Sequence, residues 1–294
     1  MSKVKDIIYS STFFIIEMFK SIIQKRKFME YYYGSEDEEI NEIKEYIQRK
    51  RRFTILNYQF VEKYKLIEIE VCKDDDCDMY YVPYNNRKMY FKRSMSKKDI
   101  CRCVRSLLEE QDMESPHRYL SDDFTVDNNS IVVDAGVAEG NFTLDIVEKV
   151  QKVVLVEYDL GWIEALKKTF CEELKSGKIE IIPKKLGEYC SENEVTLDFI
   201  YHKYGRIDFV KMDIEGAEQI ALGGGKKWMD SDGKKKIAVC TYHTPEAYDE
   251  ISEILRDRFV MVHTKGYMCL NPLFGFKPPY ARRGIIRAEY RDDK

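Results

Sequence analysis

The spacing of apolar residues changes character near residue 115. Before that point it is helical, then alternating, then helical again. Ile8, Phe13, Ile16, Phe19 and Ile23 recur at three-, four- and five-residue steps, which predicts a helix whose apolar face packs on the chain's own body or on a sister subunit. In "EDEEINEIKEYIQRKRR", residues 36 to 52, Ile40, Ile43 and Ile47 form a stripe, and acids precede bases as the helix dipole favours. The next segment, "LIEIEVCKDDDCDMYYVPYNNRKMYFKR", alternates apolar and polar positions around two turn-forming clusters, "KDDDCD" and "PYNNRK". It predicts a small antiparallel sheet over about residues 64 to 93. "SKKDICRCVRSLLEEQDM" then reads as a helix capped by Ser96.

Beyond residue 115, strand-like apolar runs alternate with helical ones: "SIVVDAG", "KVVLVEYD", "KIEIIPKK", "IDFVKMDIEG", "KIAVCTYH", "FVMVHTKGY" and "GIIRAEY". Four of these show no alternation, as expected for strands buried on both faces of a parallel sheet between helices. The fold class is therefore α/β, with an α+β extension over residues 1–114 and a larger unit over 115–294.

The stretch "IVVDAGVAEGNFTLDIV", residues 131 to 147, runs from strand through a glycine turn into a helix. In an open α/β sheet a ligand sits beyond the carboxyl ends of the strands, at this kind of turn. Gly136 and Gly140 are expected to let the backbone pass close under it, and the helix from about Asn141 to offer free amides. The spacing is GxxxG, where a dinucleotide site uses GxGxxG. Asp134, just ahead of the first glycine, suits a cationic ligand better than a pyrophosphate, and S-adenosylmethionine carries both an ammonium and a sulfonium. Glu157, at the end of the second strand about twenty residues further on, is placed to hold a ribose.

"VDAGVAEGNFT", "VEYD", "IDFVKMDIEGAEQIALGG" and "CTYH" together resemble FkbM-type S-adenosylmethionine-dependent methyltransferases over about residues 115 to 294, with "KMDIEGAE" the most specific match. The resemblance implies a seven-stranded Rossmann-like methyltransferase sheet and O-methyl transfer to sugars or other hydroxylated compounds. It implies that Asp134, Gly136 and Gly140 face the methionine part of the donor, Glu157 the ribose, and the segment around Leu186 the adenine. The family more often has D-x-G-A-N-x-G at the first turn. Here Val137 and Ala138 stand at the A and N places, so Glu139 or Asn141 is expected to supply the missing hydrogen bond.

Methyl transfer from a sulfonium to a hydroxyl is a direct displacement, so alignment and removal of the acceptor proton are the protein's tasks. Asp213 and Glu215 in "KMDIEG" and His243 in "CTYH" fall at neighbouring strand ends. His243 has the intrinsic pKa suited to take the proton, with Asp213 orienting it or the substrate. The same three residues form a second arrangement, ligands of a divalent ion that lowers the hydroxyl pKa; no metal is predicted. His117 in "SPHRYL" precedes the first strand and is a candidate to close over the donor or the acceptor.

Composition narrows the partners. Net charge is only −4, with 48 basic and 52 acidic residues, so no positive surplus is available for nucleic acid. Eight cysteines without a CxxC pair fit reduced thiols and a cytoplasmic location, and no stretch is apolar for long enough to span a membrane. The expected acceptor is a sugar, glycan or small hydroxylated metabolite, and the extension is a candidate acceptor wall or homo-oligomer interface. Two other readings stay open: a nicotinamide-dependent oxidoreductase, which the GxxxG spacing disfavours, and a scaffold without catalysis.

Overall fold

The computed structural model describes residues 2–291, with side chains from Ile16 onward. Helices α1 (Ser2–Tyr31) and α2 (Glu38–Arg49) open the chain. Strands β1 (Cys72–Asp74), β2 (Met79–Tyr84) and β3 (Arg87–Tyr90) follow as a three-stranded antiparallel sheet, and α3 (Lys97–Glu110) leads to the larger unit. The sequence cues act locally as expected. Asp37 caps α2 through its side chain, and Ser96 and Asp99 form a capping box on α3. Asn85 and Asn86, both at positive φ, make the tight β2–β3 turn.

Two expectations fail in this half. Residues 66–71 stay outside the small sheet, which begins at Cys72. Continuing the register Cys72↔Tyr81 would set Glu70 opposite Pro83, which has no N–H to donate to a ladder. In α1 the face turned to the protein carries Ser21, Gln24 and Phe28, while Ile16, Phe19 and Ile23 are 47%, 59% and 46% exposed. The expected apolar face thus does not pack on the chain's own body. Ser21 takes its place by bridging Arg51 O and Phe53 N–H, so a polar anchor decides which side docks. Ile8 and Phe13 lie outside the described side chains.

The larger unit contains β4 (Ile131–Ala135), α4 (Asn141–Ile146), β5 (Lys152–Val156), α5 (Leu160–Thr169), α6 (Cys171–Ser176) and β6 (Ile179–Ile182). The two-residue strands β7 (Lys185–Leu186) and β8 (Glu194–Val195) follow, then α7 (Leu197–Tyr204), β9 (Phe209–Met212), α8 (Glu218–Gly223), α9 (Lys226–Asp230), β10 (Lys236–Cys240) and α10 (Ala247–Leu255). Strands β11 (Phe259–Val262), β12 (Tyr267–Cys269), β13 (Ala281–Arg283) and β14 (Ile285–Tyr290) close it. All seven apolar runs join one seven-stranded sheet in the order β11-β14-β10-β9-β4-β5-β6. Five strands are parallel, while β14 runs antiparallel between β10 and β11.

The sheet is covered on both faces. Val132, Val153, Leu155 and Phe209 point into one core with Phe124 and Phe142, and this core extends to Val82, Met89, Ile100 and Val104 of the extension. Val133, Val154, Val210 and Met212 point into the other, with Leu222 and Trp228. A third cluster joins Phe28, Ile43, Ile47 and Phe53 to Met268, Leu270 and Ala281. Each such side chain contributes about 1.5–3 kcal/mol by leaving water, so the extension and the carboxyl-terminal strands stabilise one another. Among the described residues no helix is long and apolar enough to cross a membrane.

Candidate active site

The β4 turn does not use its glycines as expected. Gly136 has φ +71°, and a Cβ there would lie 1.7 Å from the Asp213 carbonyl oxygen; one at Gly140, φ +81°, would lie 2.9 Å from Leu166 and Phe170. Both positions clear the chain's own neighbours rather than a path for a ligand. Ala138, at φ +47°, turns its N–H to Glu157 Oε2 at 3.2 Å, and Asp159 N–H donates to Glu157 Oε1 at 2.8 Å. The end of β5 and the β4 turn are therefore tied through one carboxylate.

Asp134 is fully buried. Thr143 Oγ1 donates to its Oδ2 at 2.7 Å and Lys211 Nζ lies 3.2 Å from its Oδ1. Lys211 also donates to Gly136 O at 2.6 Å. Burial lowers the Lys211 pKa, but the Asp134 and Asp213 carboxylates outweigh it and raise the net value. The expectation that Asp134 presents free negative charge to a cationic ligand is corrected here: its charge is already matched across the sheet, where it pairs with Lys211 in register.

Asp213 is different. It follows the last residue of β9, accepts a hydrogen bond from Tyr119 OH at 2.7 Å, and lies 3.6 Å from His117 Nε2 and 3.5 Å from His243 Nε2. Burial works to raise its pKa, but His117, Lys211 and His243 hold it well below the usual carboxylate range. His117 is buried, with Nε2 3.4 Å from Cys240 Sγ. It supports Asp213 from behind.

His243 follows β10, its backbone carbonyl held by Arg282 Nη1 at 2.9 Å. Its Nδ1 lies 3.0 Å from Glu218 Oε1, which also accepts Ile214 N–H at 2.9 Å. Burial lowers the His243 pKa, but Glu218, Asp213 and Glu215 more than compensate and raise it. Glu215 is the outlier: its side chain is 91% exposed, at φ +59°, with Oε2 3.7 Å from His243 Nε2. The helix after it begins at Glu218. Glu218, buried at 1% exposure, is thus a third carboxylate at His243, on the Nδ1 side, while Asp213 and Glu215 lie on the Nε2 side. A divalent ion here would draw on Asp213, Glu218 and His243, whose ligand atoms converge within 4.8 Å of one another, rather than on Glu215.

Residues 126–260 match the family model described as Methyltransferase FkbM domain. These residues form an FkbM methyltransferase domain. Among solved structures, an FkbM methyltransferase from Methylobacillus flagellatus KT is similar at 18% identity and TM-score 0.45, over 60% of this chain and 50% of that one. The chain thus spans half the length of that relative. An rRNA methylase from Streptococcus thermophilus is similar at 17% identity and TM-score 0.34 (56% of this chain, 88% of that one), and Trm5b from Pyrococcus abyssi at 12% and 0.41 (72% and 55%). No curated protein matches the chain.

Within the FkbM domain, Asp134, Gly136, Ala138, Glu139, Gly140, Asn141 and Glu157 gather around the β4–α4 turn, and Asp213 and His243 stand beside it. Leu186 does not join them: it is packed with Val195 and Leu197 in the core of the other sheet face, 4% exposed. Sequence reasoning missed Lys211, Glu218 and Tyr119. Lys211 was findable, because a lysine inside an apolar strand needs a buried partner. Glu218 was findable as the acid four residues beyond Ile214, within reach of an unpaired turn amide.

Proposed function

We propose that the chain methylates a hydroxyl of a sugar, glycan or similar small acceptor held beside His243. One observation carries this reading. His243 and Glu215 line a cavity of about 550 Å³ whose walls are Phe53, Thr54 and Ile55 of the extension and Leu270, Asn271 and Phe276 of the carboxyl-terminal segment. His243 Nδ1 lies 3.0 Å from Glu218 Oε1, and Nε2 lies 3.5 Å from Asp213 Oδ1 and 3.7 Å from Glu215 Oε2. An imidazole at the cavity wall whose basicity is raised by neighbouring carboxylates is suited to accept a proton.

The residues at the sheet rim fit S-adenosylmethionine, which supplies the methyl group when bound. Glu157 is the fitting ribose ligand: each oxygen accepts one backbone N–H and keeps a lone pair for a hydroxyl. Asp213 and Tyr119 hold the strand end rigid between that rim and the cavity. His243 takes the acceptor proton, and Glu218 stabilises the imidazolium that forms. Aromatic and amide groups on the cavity wall suit a polar ring with apolar faces. The test is transfer of a labelled methyl group to nucleotide sugars, oligosaccharides and other hydroxylated metabolites. Incorporation that disappears in His243→Ala supports the reading, and incorporation only into nitrogen or carbon acceptors overturns it.

A further inference from the structure

With Asp134 matched by Lys211, the cationic methionine end of the donor needs other counter-charges. Helix α3 brings them. Cys103 on α3 donates to Glu139 Oε1 at 2.8 Å, and Gln111, just past its end, accepts Tyr119 N–H at 3.2 Å. Between these two anchors lies Glu110, seven residues beyond Cys103 and so on the same helix face. The helix therefore carries Glu110 on the face that meets Glu139, within range of the charges of Glu139, Asp213 and His117.

We propose that Glu110 and Glu139 together form the anionic seat for the ammonium and sulfonium of S-adenosylmethionine, the first supplied by the extension and the second by the β4–α4 turn. This rests on the reading that the domain binds that donor. Residue 110 lies outside the matched span 126–260, so the seat would be completed by a helix that the family model does not include.

The electrostatics agree. Burial raises the Glu110 pKa to about 7, with His117 opposing and Asp213, Glu139 and Glu109 adding to the rise. Burial likewise raises Glu139, against the Cys103 hydrogen bond and the more distant Lys211 and Lys92. The other titratable groups that face the pair are Cys103 on α3, Tyr119 before β4 and Tyr242 after β10. Acids crowded together out of water hold protons until a cation arrives. A sulfonium is a fixed cation with no proton to lose, so its binding favours the ionised pair and expels a proton. The sign follows: affinity rises as pH climbs through about 7 and flattens above it.

The experiment is titration calorimetry of the full chain with S-adenosylmethionine and S-adenosylhomocysteine, from pH 6 to 8.5, in buffers of different ionisation enthalpy. We expect proton release near pH 6.5 and tighter binding at higher pH. Glu110→Gln should weaken S-adenosylmethionine roughly tenfold at pH 8, weaken S-adenosylhomocysteine less, and abolish proton release. Glu139→Gln provides a second variant should the first misfold. If wild type binds the donor without proton release, and either folded variant binds within twofold of it, the seat is overturned. If wild type binds neither compound at any pH, the donor assignment itself fails.

Discussion

Asp134 lies within β4 and Asp213 just past the end of the neighbouring parallel strand β9, yet their charges are met in different ways. Asp134 lies within β4, opposite Lys211 of β9 in register, so its charge is matched by its strand neighbour and sealed with Thr143. Asp213 is two residues past that lysine and one past the end of β9, at the rim where Tyr119, His117 and His243 meet. A two-residue step along one strand separates a buried ion pair from an acid that touches the candidate base. The lesson is that a carboxylate at a strand end must be judged by who already neutralises it.

Five substitutions would break or sharpen that contrast. Gly136→Ala should have the largest effect, since its Cβ would collide with the Asp213 carbonyl at a φ that favours glycine. Chemical denaturation should report a loss of more than about 3 kcal/mol or no folded protein. Lys211→Met should cost about 3–5 kcal/mol, because it strands the Asp134 charge in the core. Adding Asp134→Asn should recover part of that loss in a double-mutant cycle. If Lys211→Met instead leaves stability intact and weakens only donor binding, Asp134 belongs with the chemistry after all.

His243→Ala should lower kcat about 10²–10⁴-fold with donor affinity within twofold of wild type. Equal loss in donor affinity would place His243 in cofactor binding instead. Glu218→Gln should act more gently. The base must be neutral, so the rate rises with pH through the His243 pKa, which its carboxylate neighbours raise above the ordinary histidine value. Removing the Glu218 charge should move that limb to lower pH and cut plateau kcat about tenfold, roughly 1.4 kcal/mol. A limb that stays in place would remove Glu218 from the orienting role.

Much of this was legible without coordinates, and the reason differs by element. Ile40, Ile43 and Ile47 lie 3–4 residues apart, Ser96 precedes Asp99 by three, and Asn85–Asn86 tolerates positive φ; each acts on its own few neighbours. The seven runs of the main sheet were equally plain, four of them because strands buried on both faces must be apolar throughout. Failures came where the partner is distant in sequence. Gly136 answers to Asp213, Ser21 to Arg51 and Phe53, and Leu186 to the core around Trp228.

Local spacing by itself therefore determined most of the elements and the strand ends at which Glu157, Asp213 and His243 emerge, while the seven-stranded sheet was an implication of the FkbM resemblance. Only the tertiary structure decided which acids are free to act, since charge neutralisation is a short-range matter between residues that folding, not sequence proximity, brings together. Lys211 matches the charge of Asp134, Glu218 joins Glu215 at the imidazole, and α3 carries Cys103 to the turn where Glu139 sits. No pattern of apolar and polar positions encodes those pairings, because each depends on the distance between two side chains on different elements.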